Sequence, residues 1–147
     1  MIIEVTPENV SRAAAIHAAA WQASHRDFCT PAFVALHTPE RQEAYLLEKM
    51  RDGSRCWMLA AEDVPVGLVS VRGSLIEDLY VLPERQGQGY GTRLLRFAMG
   101  QCDGTPSLWI LENNTGAARL YRRMGFRETG RVDAITDSLA EIELTLA

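Results

Sequence analysis

Apolar and polar positions change their period several times along the 147-residue chain. Residues 2–5 (Ile-Ile-Glu-Val) read as a short strand. Thr6, Pro7 and Glu8 then carry the marks of a helix start: a capping hydroxyl, a proline in the first turn and an acid near the positive end. Val10, Ala13, Ala14, His17 and Trp21 form one stripe at helical spacing, and the polar run Ser24-His25-Arg26-Asp27 blurs where that helix ends. Thr38-Pro39-Glu40 opens another helix, which runs through Tyr45, Leu46 and Met50 to a stop near Gly53.

The texture then shifts to strands. Cys56–Ala61 is a continuous apolar run, and Glu62-Asp63 makes a turn. Val64–Arg72 follows, then Gly73-Ser74, then Leu75–Leu82. Strands joined by such two-residue turns pair antiparallel. Gly89–Cys102 is helical, with Gly91, Leu94, Leu95, Ala98 and Cys102 on one face. Ser107–Glu112 is a strand, and residues 115–124 form a helix with Ala117, Leu120, Tyr121 and Met124 on one stripe and Gly125 as its stop. Phe126–Arg131 and Leu139–Leu146 are final strands, the last with one wet face. The strand at 75–82, the helix after it and the strand at 107–112 form a crossover unit, so those two strands run parallel. The expected fold is a mixed α/β sheet, mostly antiparallel, with helices on both faces.

Composition narrows the class. A chain of 147 residues fits one domain spanning residues 1–147. Apolar residues at 47% and charged residues at 23% are globular values that argue against disorder. The net charge of −4 makes a poor non-specific binder of nucleic acid or membrane and tilts the partners toward cations. Cys29, Cys56 and Cys102 are odd in number and lack any C-x-x-C, so they read as free thiols rather than a disulfide framework or zinc site. His25 and Cys29 stand four apart, but no further ligands accompany them, and no metal is expected. The start of the chain lacks a basic, apolar leader, and no segment reaches the ~20 apolar residues of a membrane span. These features point to a soluble cytoplasmic protein.

The stretch Glu84-Arg85-Gln86-Gly87-Gln88-Gly89-Tyr90-Gly91-Thr92 joins a strand to a helix. Glycines at alternate positions let backbone N–H groups turn inward without a Cβ in the way. Inward N–H groups and a helix N-terminus make a nest for a diphosphate. The motifs of two common diphosphate binders are missing. No lysine follows Gly91, as a P-loop requires, and counting from Gly87 or Gly89 the last glycine of G-x-G-x-x-G fails at Thr92 or Leu94. That argues against an adenine-nucleotide binder.

Gln86-Gly87-Gln88-Gly89-Tyr90-Gly91 resembles the Q/R-x-x-G-x-G/A signature of the GNAT superfamily of N-acetyltransferases. Leu79-Tyr80-Val81-Leu82-Pro83 before it, and Asn114-x-x-Ala117-x-x-x-Tyr121 with Arg122-Arg123-Met124-Gly125-Phe126 after it, match at family spacing. The resemblance covers about residues 75–131. It implies acetyl-CoA as cosubstrate, a sheet with one parallel strand pair splayed apart, and an amine of a small molecule or peptide as acceptor. Gln86 belongs to the matched loop, and the amides of Gly87, Gln88, Gly89, Tyr90, Gly91 and Thr92 would hold the pyrophosphate. Backbone groups of Leu79, Tyr80 and Val81 would pair with the pantetheine arm and polarise the thioester carbonyl. Asn114 and Ala117 would lie along the CoA arm, Asn114 being equally suited to cap its helix. Homodimers are common in the family.

Tyr121 is then the candidate acid that protonates the departing sulfur; without the resemblance its stripe reads as core. Glu77 is the first candidate base and Asp78 the second, because Leu75–Val81 resembles the strand of polyamine acetyltransferases. Successive residues of a regular strand face opposite sides, so both cannot enter one pocket, and a salt bridge to an arginine is the alternative for Glu77. Trp109 stands where family members that acetylate protein N-termini often carry a glutamate. Trp21, His25, Asp27 and Phe28 are candidates for the acceptor wall. His17 and His37 show no partner pattern and read as ordinary. A non-catalytic acyl-CoA-binding sensor on the same scaffold is the alternative function.

Overall fold

One seven-stranded sheet organises the computed structural model, which describes residues 1–147. Its strands are β1 (Ile2–Glu4), β2 (Arg55–Ala61), β3 (Val64–Arg72), β4 (Leu75–Val81), β5 (Ser107–Leu111), β6 (Phe126–Thr136) and β7 (Leu139–Leu146), in the spatial order β1-β2-β3-β4-β5-β7-β6. The helices are α1 (Val10–His25), α2 (Pro31–Ala35), α3 (Pro39–Arg51), α4 (Tyr90–Gln101) and α5 (Thr115–Arg123). All neighbouring strands are antiparallel except β4 and β5.

The sheet is covered on both faces, which is why β2 is an unbroken apolar run rather than an alternating one. Cys56 and Met58 pack under α1 and α3 with Ala13, Ala14, Ile16 and Leu46. Trp57 and Leu59 face the other way, toward Leu94, Leu95 and Ala98 of α4 and Ala118 and Tyr121 of α5.

Two irregularities of β4 set the geometry around it. It pairs with β5 only at Leu75↔Ser107 and Ile76↔Leu108, while β3 stays paired with it as far as Gly67↔Val81. Beyond Ile76 the edge of β4 that faces β5 is therefore open, and β5 is held instead by β7. The register also jumps from Ser70↔Asp78 to Val71↔Ile76, which leaves Glu77 as an extra residue on β4. Such a bulge re-aims side chains. It overturns the expectation that Glu77 and Asp78 must face opposite sides.

Three boundaries differ from the sequence expectation. α1 begins at Val10, because the Asn9 side chain accepts from Thr6 N at 2.8 Å and donates to Glu4 O at 3.1 Å, shaping a turn in place of a first helical turn. α2 is an additional helix, although Thr30-Pro31 repeats the signal of Thr38-Pro39: Thr30 Oγ1 accepts from Phe33 N and proline follows the cap. β6 continues past Arg131 to Thr136, through a register shift between Glu128 and Val132 that contains Gly130 at φ 93°.

Candidate active site

The glycine loop leaves β4 through a single 3-10 turn at Pro83–Arg85 and enters α4. Gln86 Nε2 donates to Val81 O at 3.2 Å, which ties the loop to the strand end. Gly87 (φ 78°) and Gly89 (φ 87°) adopt left-handed backbone that L side chains rarely tolerate. Gly89 caps α4 without a side-chain hydrogen bond. Hence the amides of Gly87, Gln88, Gly89, Tyr90, Gly91 and Thr92 donate to no carbonyl or side chain of the protein. A run of unspent donors at the positive end of a helix is an anion cradle. It sits beside the gap where β4 and β5 diverge.

Tyr121 projects from α5 into the core beneath that gap, its ring 6.0 Å from Phe126. Burial pushes its phenol pKa up, so it stays protonated at neutral pH. Asn114 Oδ1 accepts from Ala117 N at 3.1 Å, so its carbonyl is committed to capping α5. Ala117 is half-buried on the same helix.

The bulge at Glu77 brings both carboxylates to Lys49 of α3, whose Nζ lies 3.2 Å from Glu77 Oε1 and 2.7 Å from Asp78 Oδ2. Glu77 also accepts from Ser54 Oγ at 2.8 Å, and its nearest arginine contact is a longer one of 3.9 Å to Arg72. Asp78 accepts from Ser70 Oγ at 2.7 Å and Tyr45 Oη at 3.2 Å, and His17 Nε2 stands 3.5 Å from its Oδ1. Burial alone would raise the Asp78 pKa, but His17 and the Lys49 ammonium more than offset it and hold the carboxyl well below its usual range. In turn Lys49 is raised: burial opposes its charge, and Asp78 outweighs that. Burial and the Asp78 charge push the Tyr45 phenol up to about 12.

Two cavities flank this network and share Tyr45. One, of about 260 Å³, is walled by α1, α3 and β4 and has His17, Trp21, Tyr45 and Asp78 on its lining. The other, of about 380 Å³, lies at the open β4–β5 edge, where Glu77 faces Trp109, Asp133 and Glu141. Asp133 and Glu141 are direct cross-strand partners, and burial together with the Asp133 charge raises the Glu141 pKa. Of the expected acceptor wall, only Trp21 lines either cavity; His25 stacks on its outer face at 3.8 Å, and Asp27 and Phe28 are exposed.

Sequence reasoning missed Lys49, Ser54, Ser70 and Tyr45, whose partners lie at least eight residues away in the chain. It also misjudged His17. The available signal was a histidine on the apolar stripe of α1, where a polar ring needs a partner.

The family model described as an acetyltransferase (GNAT) domain matches residues 52–128, just over half of the chain. The chain belongs to the GNAT acetyltransferase family. Among curated relatives, the peptidyl-lysine N-acetyltransferase YjaB of Salmonella typhimurium is 36% identical over 70 residues, 48% of each chain. The chain thus spans about half the length of the curated relatives it matches. A GCN5-related N-acetyltransferase from Rhodopseudomonas palustris shares the fold at TM-score 0.78 and 22% identity, over 100% of this chain and 94% of that one. PaiA N-acetyltransferase from Thermoplasma acidophilum, solved in complex with coenzyme A, superposes at TM-score 0.73 and 13% identity, over 97% and 96%. These GNAT neighbours share the mixed sheet with its single parallel pair.

Proposed function

We propose that this GNAT protein moves an acetyl group from acetyl-CoA to a primary amine, of a small molecule or a peptide, by direct attack of the amine on the thioester. The observation that carries the reading is the row of unspent amides from Gly87 to Thr92 at the head of α4, beside the open edge of β4. The site fits a diphosphate-bearing thioester with an extended amide arm. The amide row suits the two phosphates. Leu79, Tyr80 and Val81 carry backbone groups on an edge that no strand covers, which suits an arm that pairs like a strand.

In this reading a backbone N–H of Leu79 to Val81 polarises the thioester carbonyl. One such donor is typically worth ~3–4 kcal/mol of transition-state stabilisation. Tyr121 donates its proton to the departing sulfur. Glu77 and Asp78 are held by Lys49 and shape the acceptor side. Acidic groups around the larger cavity favour a cationic acceptor such as a lysine side chain or another alkylamine. The name of the Salmonella relative is in keeping with that class.

Calorimetry with CoA and acetyl-CoA, followed by thiol release across a panel of alkylamines and lysine peptides, tests the proposal. Tight CoA binding with amine-dependent thiol release is expected. No CoA binding overturns it at the first step; binding without turnover on any amine identifies a sensor instead.

A further inference from the structure

The acceptor amine arrives as an ammonium ion and must lose a proton before it can attack. Neither carboxylate suits that task. Asp78 is spent on Lys49, Ser70 and Tyr45, and Glu77 on Ser54 and Lys49. Asp78 is also held well below the usual carboxylate range and is a correspondingly weak base.

His17 stands out beside them. It is 3% exposed, and its Nε2 is a buried side-chain polar atom with no hydrogen-bond partner in the protein. Burying such an atom unpaired costs about 1–3 kcal/mol, so its place calls for a partner. Its other nitrogen, Nδ1, is engaged by the Gln42 amide. The ring is held between Tyr80, 4.7 Å away, and Tyr45, 5.4 Å away, on the lining of the smaller cavity. Tyr80 belongs to the segment whose backbone faces the open edge of β4.

We infer that His17 is the general base for the acceptor amine, with the substrate nitrogen as the missing partner of Nε2 and Asp78 stabilising the imidazolium that forms. This rests on the acetyl-transfer reading above. Nε2 takes one proton from R–NH3⁺. The freed nitrogen lone pair forms the C–N bond as the C–S bond breaks. The thiolate takes a proton from Tyr121, the nitrogen sheds its second proton to restore Tyr121, and His17 returns its own to solvent. The sum is R–NH3⁺ plus acetyl-CoA giving the amide, CoA–SH and one H⁺. A hydrogen-bond length that is long before substrate binds is common at such sites.

The charged and titratable groups around His17 are Asp78 and Tyr80 from β4, Arg41, Tyr45 and Lys49 from α3, His37 from the α2–α3 connection, and His25 further along α1. β3 contributes the Ser70 hydroxyl to Asp78.

The test is the pH profile of kcat/KM with the alkylamine turned over fastest in the panel. An enzyme-borne base lets the wild-type profile level off well below the amine's own pKa of about 10. In His17→Gln the rate at pH 7 falls about 10²-fold, and the profile climbs about tenfold per pH unit toward that pKa, because only free neutral amine then reacts. CoA affinity stays unchanged. His17→Asn is the second variant should the first not fold. Identical profile shapes for wild type and variant would overturn the proposal, as would a wild-type profile that climbs to the amine's pKa. Absence of turnover in the wild type overturns the acetyl-transfer reading instead.

Discussion

Asp78 carries the densest polar network in the molecule, and its energetics set one expectation. Its carboxylate is 8% exposed in its side chain and bonded to Lys49 and Ser70 at 2.7 Å. Asp78→Asn leaves Lys49 without its main counter-charge, and the cost of breaking such a pair is about 3 kcal/mol. Because the folded pKa is depressed, the stabilisation is present above the unfolded value of about 4 and is lost as pH falls through the folded one. Urea titrations at pH 7 and pH 3 check both parts: the wild type weakens steeply on acidification, and the variant starts lower and weakens less. Tyr121→Phe is the counterpart for chemistry: calorimetry finds CoA affinity unchanged, while kcat drops about 10²-fold. Tyr121 was legible because its spacing from Asn114 matches a family motif. His17, Tyr45 and Lys49 were not legible, because their meaning comes from meeting Asp78 across the interface of α1, α3 and β4.

At the scale of elements, the loop before α4 could be read from its glycines, and the structure supplies the reason: two of them sit at positive φ. A side chain at Gly89 meets nothing within 4 Å, so Gly89→Ala costs only the backbone strain of about 1–2 kcal/mol. It also turns the amides of the cradle, and CoA affinity falls about tenfold or more, equivalent to ~1.4 kcal/mol, as calorimetry on the purified variant measures. The junction of α1, α2 and α3 was less legible. There Trp21 is sandwiched by His25 at 3.8 Å and His37 at 3.4 Å, a contact between residues up to sixteen positions apart that no periodicity reveals. Burial lowers the pKa of both histidines. Depressed folded values mean their stabilisation is full above the unfolded value of about 6.5 and lost as pH falls through the folded ones. Thermal melts between pH 8 and pH 5 detect that decline, and the double variant His25→Phe, His37→Phe flattens it. The bulge at Glu77 was likewise hidden, since an extra strand residue leaves no mark in an apolar–polar alternation.

Across the whole molecule, strand order followed from turn lengths and the single crossover, because two-residue turns force antiparallel neighbours and a helix between strands forces a parallel pair. The extension of β6 did not follow, as its outer residues are nearly all exposed and carry no hydrophobic period. The pairing of β4 and β5 at two positions divides the sheet into a block of β1 to β4 and a block of β5, β7 and β6, with helices and loops as their main further ties. A CoA molecule lying along β4 touches both blocks. Ligand at 100 times its Kd raises stability by about 2.7 kcal/mol, a gain that differential scanning calorimetry registers as a higher Tm.

That short seam also governs how the protein breathes. With so few rungs across it, amide protons of Leu79 to Val81 that face the gap trade with deuterated water far sooner than those of β2, locked on both sides by neighbours. Filling the wedge slows that exchange, so the donor substrate acts as a removable eighth rung-bearing strand, and its departure after each turnover loosens the two halves together.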